Sequence, residues 1–215
     1  MIDDIELNNL IKMNNYALDL SKIKTLKIDF LFNYKELLKI RNLEELRFNS
    51  IEIEDELLEI LNVLPNLKRL YFINCDIHNL DILNDKLELL YIERCMLSDV
   101  SEINKFTNLK SLSLVEMSEV DLNKISIIKK IENIDFMNSR IVNEDSFINL
   151  NKIIKLCISD TNVKNIDTLI GIDSLKKLVI DEDIYSSNLD VVNYLINKGI
   201  EITNKYGGSF GDING

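Results

Sequence analysis

Residues 67–72 read LKRLYF, and the same grammar returns at 87–92 (LELLYI), 109–114 (LKSLSL) and 175–180 (LKKLVI). Each stretch is apolar at its first, fourth and sixth positions. Working outward, the register extends to 23–28 (IKTLKI), 43–48 (LEELRF), 131–136 (IENIDF) and 153–158 (IIKLCI). The eight starts are separated by 20, 24, 20, 22, 22, 22 and 22 residues. A near-constant period of this size marks a chain of stacked supersecondary units, none able to bury its apolar side alone. Alternation over the last three positions predicts a short strand in each unit. In 67–72, Leu70 and Phe72 then face inward and Tyr71 faces out.

The segments between strands continue the pattern. Three residues beyond the strands come Leu31, Ile51, Cys75, Cys95, Met117, Ser139 and Thr161, and two further on Ile53, Ile77, Leu97, Ile141 and Val163, the fifth repeat breaking the pattern with Glu119 beside Val120. In two units apolar residues then fall at every third position: Leu97, Val100, Ile103, Phe106, Leu109, and Val163, Ile166, Leu169, Ile172, Leu175. Three-residue spacing suits 3₁₀ turns rather than a 3.6-residue helix. The stretch Glu54–Leu64 (EDELLEILNVL) instead has α-helical spacing and stops before Pro65.

This ladder resembles the leucine-rich repeat family, and its 22-residue steps are similar to the short bacterial class found in internalins. The resemblance covers about residues 20–182. It implies an α/β fold: a right-handed solenoid with about eight parallel strands on its concave face, 3₁₀ and short α turns on its convex face, and helical end caps. It also implies an asparagine at the turn after each strand, bonding backbone groups of neighbouring turns. Here those places hold Cys, Ser, Thr, Met or Ile, so thiols and hydroxyls stand in part of that ladder. A single domain is expected, with an N-terminal cap over 1–20, repeats over 21–182, a C-terminal cap over 183–204 and a flexible tail over 205–215. Asp3–Tyr16 is expected to be helical. Ser187 is placed to cap a helix (NLDVVNYLINK) that ends at Gly199, followed by an edge strand carrying Ile200 and Ile202.

Composition narrows the function. The 215 residues carry 25 Lys and Arg against 36 Asp and Glu, a net charge of −11, with 46% apolar residues. Such a chain folds, and its charge repels phosphate backbones and anionic lipid, so neither nucleic acid nor membrane is an expected partner. No apolar run reaches the roughly 18–20 residues that span a bilayer, and the acidic start MIDDIELNN does not resemble an export signal. Three cysteines argue against a disulfide framework, so a cytoplasmic location is expected.

Chemistry is sparse. His78 is the only histidine, on a turn away from the strands, so a nucleophile–histidine arrangement has one place to form and no companions there. GGSFGDING lacks the Lys-Ser/Thr of a phosphate loop. Cys75 and Cys95 share a place in adjacent turns, where free buried thiols are expected and a disulfide is the alternative. Cys157 is expected to face outward, as an inert surface thiol near Lys155. Asp181 with Glu182 reads as solvated charge. No catalytic residue, metal ligand or cofactor is assigned.

The outward strand residues carry the information. Laid side by side, they gather Tyr71, Ile73, Leu89, Tyr91, Val115 and Met137 on a face that ought to be polar, with Arg47, Arg69 and Glu93 around them. An apolar centre with a charged rim, rich in Tyr and Arg, is the anatomy of a protein-binding surface. The expected function is therefore a non-enzymatic protein–protein interaction module gripping one protein partner on its concave face. The alternatives are an intracellular inhibitor or immunity-type protein for a basic toxin or enzyme, and a self-associating structural protein. A monomer is the expected state, with homo-oligomerisation belonging to the last alternative.

Overall fold

The computed structural model describes residues 5–6, 20–29, 33–82, 84–97, 99–125, 128 and 130–210. It divides into two compact units, Met1–Leu109 and Lys110–Gly215. In the first, the strands Ile5–Glu6, Thr25–Ile28, Glu45–Asn49, Arg69–Ile73 and Leu89–Glu93 pair in that order, all parallel. Leu26, Leu46, Leu70 and Leu90 stand in register across them, and none is measurably exposed. In the second, Ser111–Val115, Asn133–Asp135, Lys155–Cys157, Lys177–Val179 and Glu201–Thr203 do the same, with Leu112, Ile134, Leu156, Leu178 and Ile202 in register. The predicted strands are all present, and the chain is a leucine-rich-repeat α/β solenoid of parallel strands joined by short helical turns.

Each turn closes by local rules. Leu97–Leu109 and Val163–Leu175 contain the 3₁₀ segments Val100–Lys105 and Asp167–Gly171 that three-residue spacing requires. Asp99 accepts from the Ser101 amide (2.9 Å) to start the first of these. The longer repeat forms the α-helix Asp55–Val63, burying Leu57, Leu58, Ile60 and Leu61. At the turns that follow the strands, Ser50, Asn74, Arg94, Glu116, Asn138 and Asp160 all sit at positive φ, between 49° and 58°. A left-handed residue reverses the chain sharply, and side chains other than Gly and Asn tolerate it at a cost of about 1 kcal/mol.

The expected asparagine ladder has thiol and hydroxyl substitutes. Ser139 Oγ accepts from the Met117 amide (2.9 Å) and donates to the Leu114 carbonyl (2.8 Å) of the preceding turn. Cys95 does the equivalent two repeats earlier: its Sγ accepts from the Cys75 amide (3.3 Å) and donates to the Phe72 carbonyl (3.5 Å). Thr161 closes its own turn, donating to the Ile158 carbonyl at 2.8 Å. Buried backbone groups that asparagine amides would satisfy thus keep partners.

The ends differ from expectation. Ile5–Glu6 is a strand, pairing with Leu26 and Lys27, and the rest of the helix expected over Asp3–Tyr16 lies outside the described residues. Ser187 does not cap a helix; it ends the helix Glu182–Ser187, and Asn188 separates that from the helix Leu189–Asn197. Asp181 caps the first of these by accepting from the Ile184 amide (2.9 Å), with Glu182 and Asp183 favourably placed in the first turn. Gly199, at φ 85°, closes the second as foreseen. Within the segment expected to be a tail, Lys205 pairs with Asp160 (2.9 Å), Thr203 bridges Ser209, and the Phe210 ring stacks on Tyr185 at 4.3 Å.

Candidate functional site

On the first unit, three adjacent strands place Arg47, Tyr71 and Tyr91 in one row, opposite the core. Inward neighbours such as Phe48 and Phe72, whose rings stack at 5.6 Å, hold the strands from beneath. The Arg47 guanidinium lies 4.4 Å from the centre of the Tyr71 ring, and that ring lies 5.7 Å from Tyr91, tilted by 38°. Both contacts are within the range where rings attract cations and one another. Ile73 and Leu89 sit beside the tyrosines, half-buried and in register with Glu93 and Arg69 respectively. Parallel pairing thus assembles seven of the nine expected residues into one patch: Arg47, Arg69, Tyr71, Ile73, Leu89, Tyr91 and Glu93.

The other two belong to the second unit. Val115 is only 2% exposed, which corrects its assignment to the surface. Met137 is half-buried, its amide donating to Asp135 Oδ1 at 3.0 Å. Cys157, also expected to face out, is buried at 5% exposure, and Val179, in register with it on the next strand, at 7%. Burial, and secondly the nearby Asp135 carboxylate, push the Cys157 thiol up to about 12, far outweighing Lys155.

The sequence left one participant unsingled. Glu45 lies in register with Arg69 and two residues before Arg47, so the paired rows already placed it between two cations. In the structure it is buried, and it accepts from Arg47 Nε at 2.7 Å and from Arg69 Nε at 2.6 Å. Burial alone would raise its pKa; the hydrogen bonds from Arg69 and Arg47 overcome this and hold the carboxyl below its usual range. Burial, with the Glu45 charge next, raises the Tyr71 hydroxyl above its ordinary value. At the strand ends the Tyr91 hydroxyl donates to Glu93 (2.6 Å), Arg94 pairs with Glu93 (2.5 Å) and bonds Asn74 (2.8 Å), and Asn74 reaches Asn49 (3.4 Å). The tyrosines are framed by side chains already locked to one another.

Elsewhere the chemistry stays sparse. His78 is exposed on its turn, with Nε2 3.4 Å from Glu52. Cys75, Cys95 and Cys157 are free thiols, and hydrogen bonding to Cys75 together with burial pushes the Cys95 thiol upward. Among the described residues, no group of three His, Cys, Asp or Glu is arranged to hold a metal ion, and no helix is long and apolar enough to cross a membrane. A groove of about 920 Å³ on the second unit is lined by Asp160, Lys164, Asp181, Glu182 and Asp183. Its acids serve the fold, since Asp181 caps Ile184 and accepts from the Asp160 amide (2.7 Å), while Asp160 holds Lys205.

Comparison with solved structures agrees with this architecture. The chain is similar to an internalin (inlF) from Listeria monocytogenes, with a TM-score of 0.59 at 17% identity, over 86% of this chain and 55% of that one. It is similar also to internalin C2 from the same species, with a TM-score of 0.51 at 17% identity, over 81% of this chain and 84% of that one. The fold is that of the internalins. At such identity the likeness carries fold alone, and this chain spans only about half of the first structure. No family model matches the sequence, and no curated protein matches it.

Proposed function

We propose that this protein is a non-enzymatic interaction module whose open sheet face on the first unit, the concave face of the expected solenoid, binds a protein partner. One observation carries this reading: two tyrosines, Ile73 and Leu89 stand half-exposed and contiguous where a solvated sheet face has no use for them. Stacking by Arg47 and the Glu45 and Glu93 pairings hold the rings in place before binding, which removes part of the ordering cost of association. The internalin likeness is consistent with it but does not supply it. The test is capture from the source cell with wild type and with Tyr71→Ala/Tyr91→Ala, after thermal melts show that both are folded. A protein retained by the wild type and released by the variant supports the face; equal retention by both refutes it.

A further inference from the structure

We propose that the partner segment seated on this face is uncharged and apolar, and that the acidity of the protein plays no part in that contact. The proposal rests on the protein-binding reading above and names the chemistry of its ligand. The first reason is charge pairing. Glu45 is committed to Arg47 and Arg69 at 2.6–2.7 Å, and Glu93 to Tyr91 and Arg94 at 2.5–2.6 Å. An acidic segment would compete for these arginines with a buried carboxylate already holding both through Nε, and drawing either one away would weaken the pairing of that buried charge, which is unfavourable. A basic segment would have to displace Arg94 and the tyrosine hydroxyl from Glu93 for a comparable bond.

The second reason is where the charge sits. The outward strand positions of the first unit, with Arg94, hold Lys27, Arg47, Arg69 and Arg94 against Asp29, Glu45 and Glu93, so this face is not acidic although the chain is at −11. The carboxylates concentrate instead at the helix side, where Glu52, Glu54, Asp55, Glu56 and Glu59 are all exposed within one stretch, with Lys35 paired to Glu56 at 3.2 Å. A basic macromolecule is attracted there rather than to the tyrosines. The third reason is size. Three strands about 4.8 Å apart and two to four residues at about 3.3 Å each make a patch of roughly 10 Å by 10 Å. That is small against the roughly 800 Å² per partner of a standard interface. It accommodates a protruding segment tipped by one or two side chains of Leu, Met or Phe size.

The experiment presents the immobilised full chain with three short peptide pools of fixed composition: neutral apolar and aromatic, Lys/Arg-rich, and Asp/Glu-rich. Retention is measured at low and at high salt. The neutral pool should be retained at least about tenfold above the Tyr71→Ser/Tyr91→Ser variant. That retention should change less than about twofold between 50 and 500 mM salt. Tyr91→Phe, which keeps the ring, should retain it as well, and Ile73→Asn gives a second disruption should the double variant not fold. Retention of a charged pool through the same tyrosines, falling steeply with salt, overturns the proposed chemistry and leaves the binding face standing. Retention indifferent to the substitutions removes the face itself. Retention of none of the pools overturns the proposal, while a partner captured from cells through the tyrosines would still uphold the function.

Discussion

Replacing Glu45 by Gln tests whether the buried carboxylate organises the face that carries Tyr71 and Tyr91. The side chain is 10% exposed, and its two arginine partners are 44% and 40% exposed. A hydrogen bond to a charged group contributes about 1.5–3 kcal/mol when shielded, and solvent at the arginine ends reduces this to about 1–2 kcal/mol for the cluster. Glutamine keeps the shape but can offer its oxygen to one guanidinium only, turning its amino group towards the other. For a chain of this size the loss corresponds to roughly 3–6 °C in Tm. The pH dependence identifies the cause. Because the two arginines lower the folded-state pKa, the stabilisation is complete above the unfolded value of about 4.3 and vanishes as pH falls through the folded value. Urea unfolding of both proteins at pH 7 and pH 3 should therefore show a gap of about 1–2 kcal/mol at pH 7 that narrows in acid. A gap of the same size at both pH values, or none at pH 7, would refute the role given to the carboxylate.

Ser139→Ala strips partners from the Met117 amide and the Leu114 carbonyl and should cost about 2 kcal/mol or more in urea unfolding, whereas Cys95→Ala, removing longer and weaker sulfur contacts, should cost about half as much. Glu116→Asn, at φ 54°, should stabilise by about 0.5–1 kcal/mol, and Asn138→Val, at φ 58°, should destabilise by more than about 1 kcal/mol, both read from Tm. Cys157, titrating near 12 in the fold, should stay unlabelled by iodoacetamide at pH 8 and react only once urea unfolds the chain; rapid native labelling, located by mass spectrometry, would contradict its burial.

The fold was legible because its energetics sit on one repeating set of positions. A triplet such as Leu67, Leu70, Phe72 must be apolar for every turn, and burial of that set is the dominant favourable term. What escaped reading was local. Ser50, Arg94, Glu116 and Asp160 take the left-handed turn without the glycine that would announce it; only Asn74 and Asn138 hint at it. Ser187 and Asn188 are both good capping residues, and which one separates the helices depends on Asp181 having already started a helix upstream. The site was legible in part. Parity along a strand says which way a side chain points, so Tyr71 and Tyr91 were placed together; it does not say whether a short side chain stays exposed, so Val115 and Cys157 were misjudged.

The same backbone carries two unlike surfaces. In the first unit the outward row runs Arg47, Tyr71, Tyr91; in the second it runs Ser113, Asp135, Cys157, Val179, in the same parallel register. Both rows lie over equally buried inward rows, so neither choice is dictated by folding. The second row is what folding alone tolerates: short or polar side chains. Large rings at partial exposure forgo burial that the core would have given them, and they are stabilised by Arg47 and Glu93 rather than by the core. A solenoid turn that departs from the inexpensive solution, with charges set beside its rings, is what the proposed binding face requires and what folding alone does not. By that logic the second row, which offers no such rings, contributes little to the affinity, and tyrosine substitutions on the first unit should account for most of it.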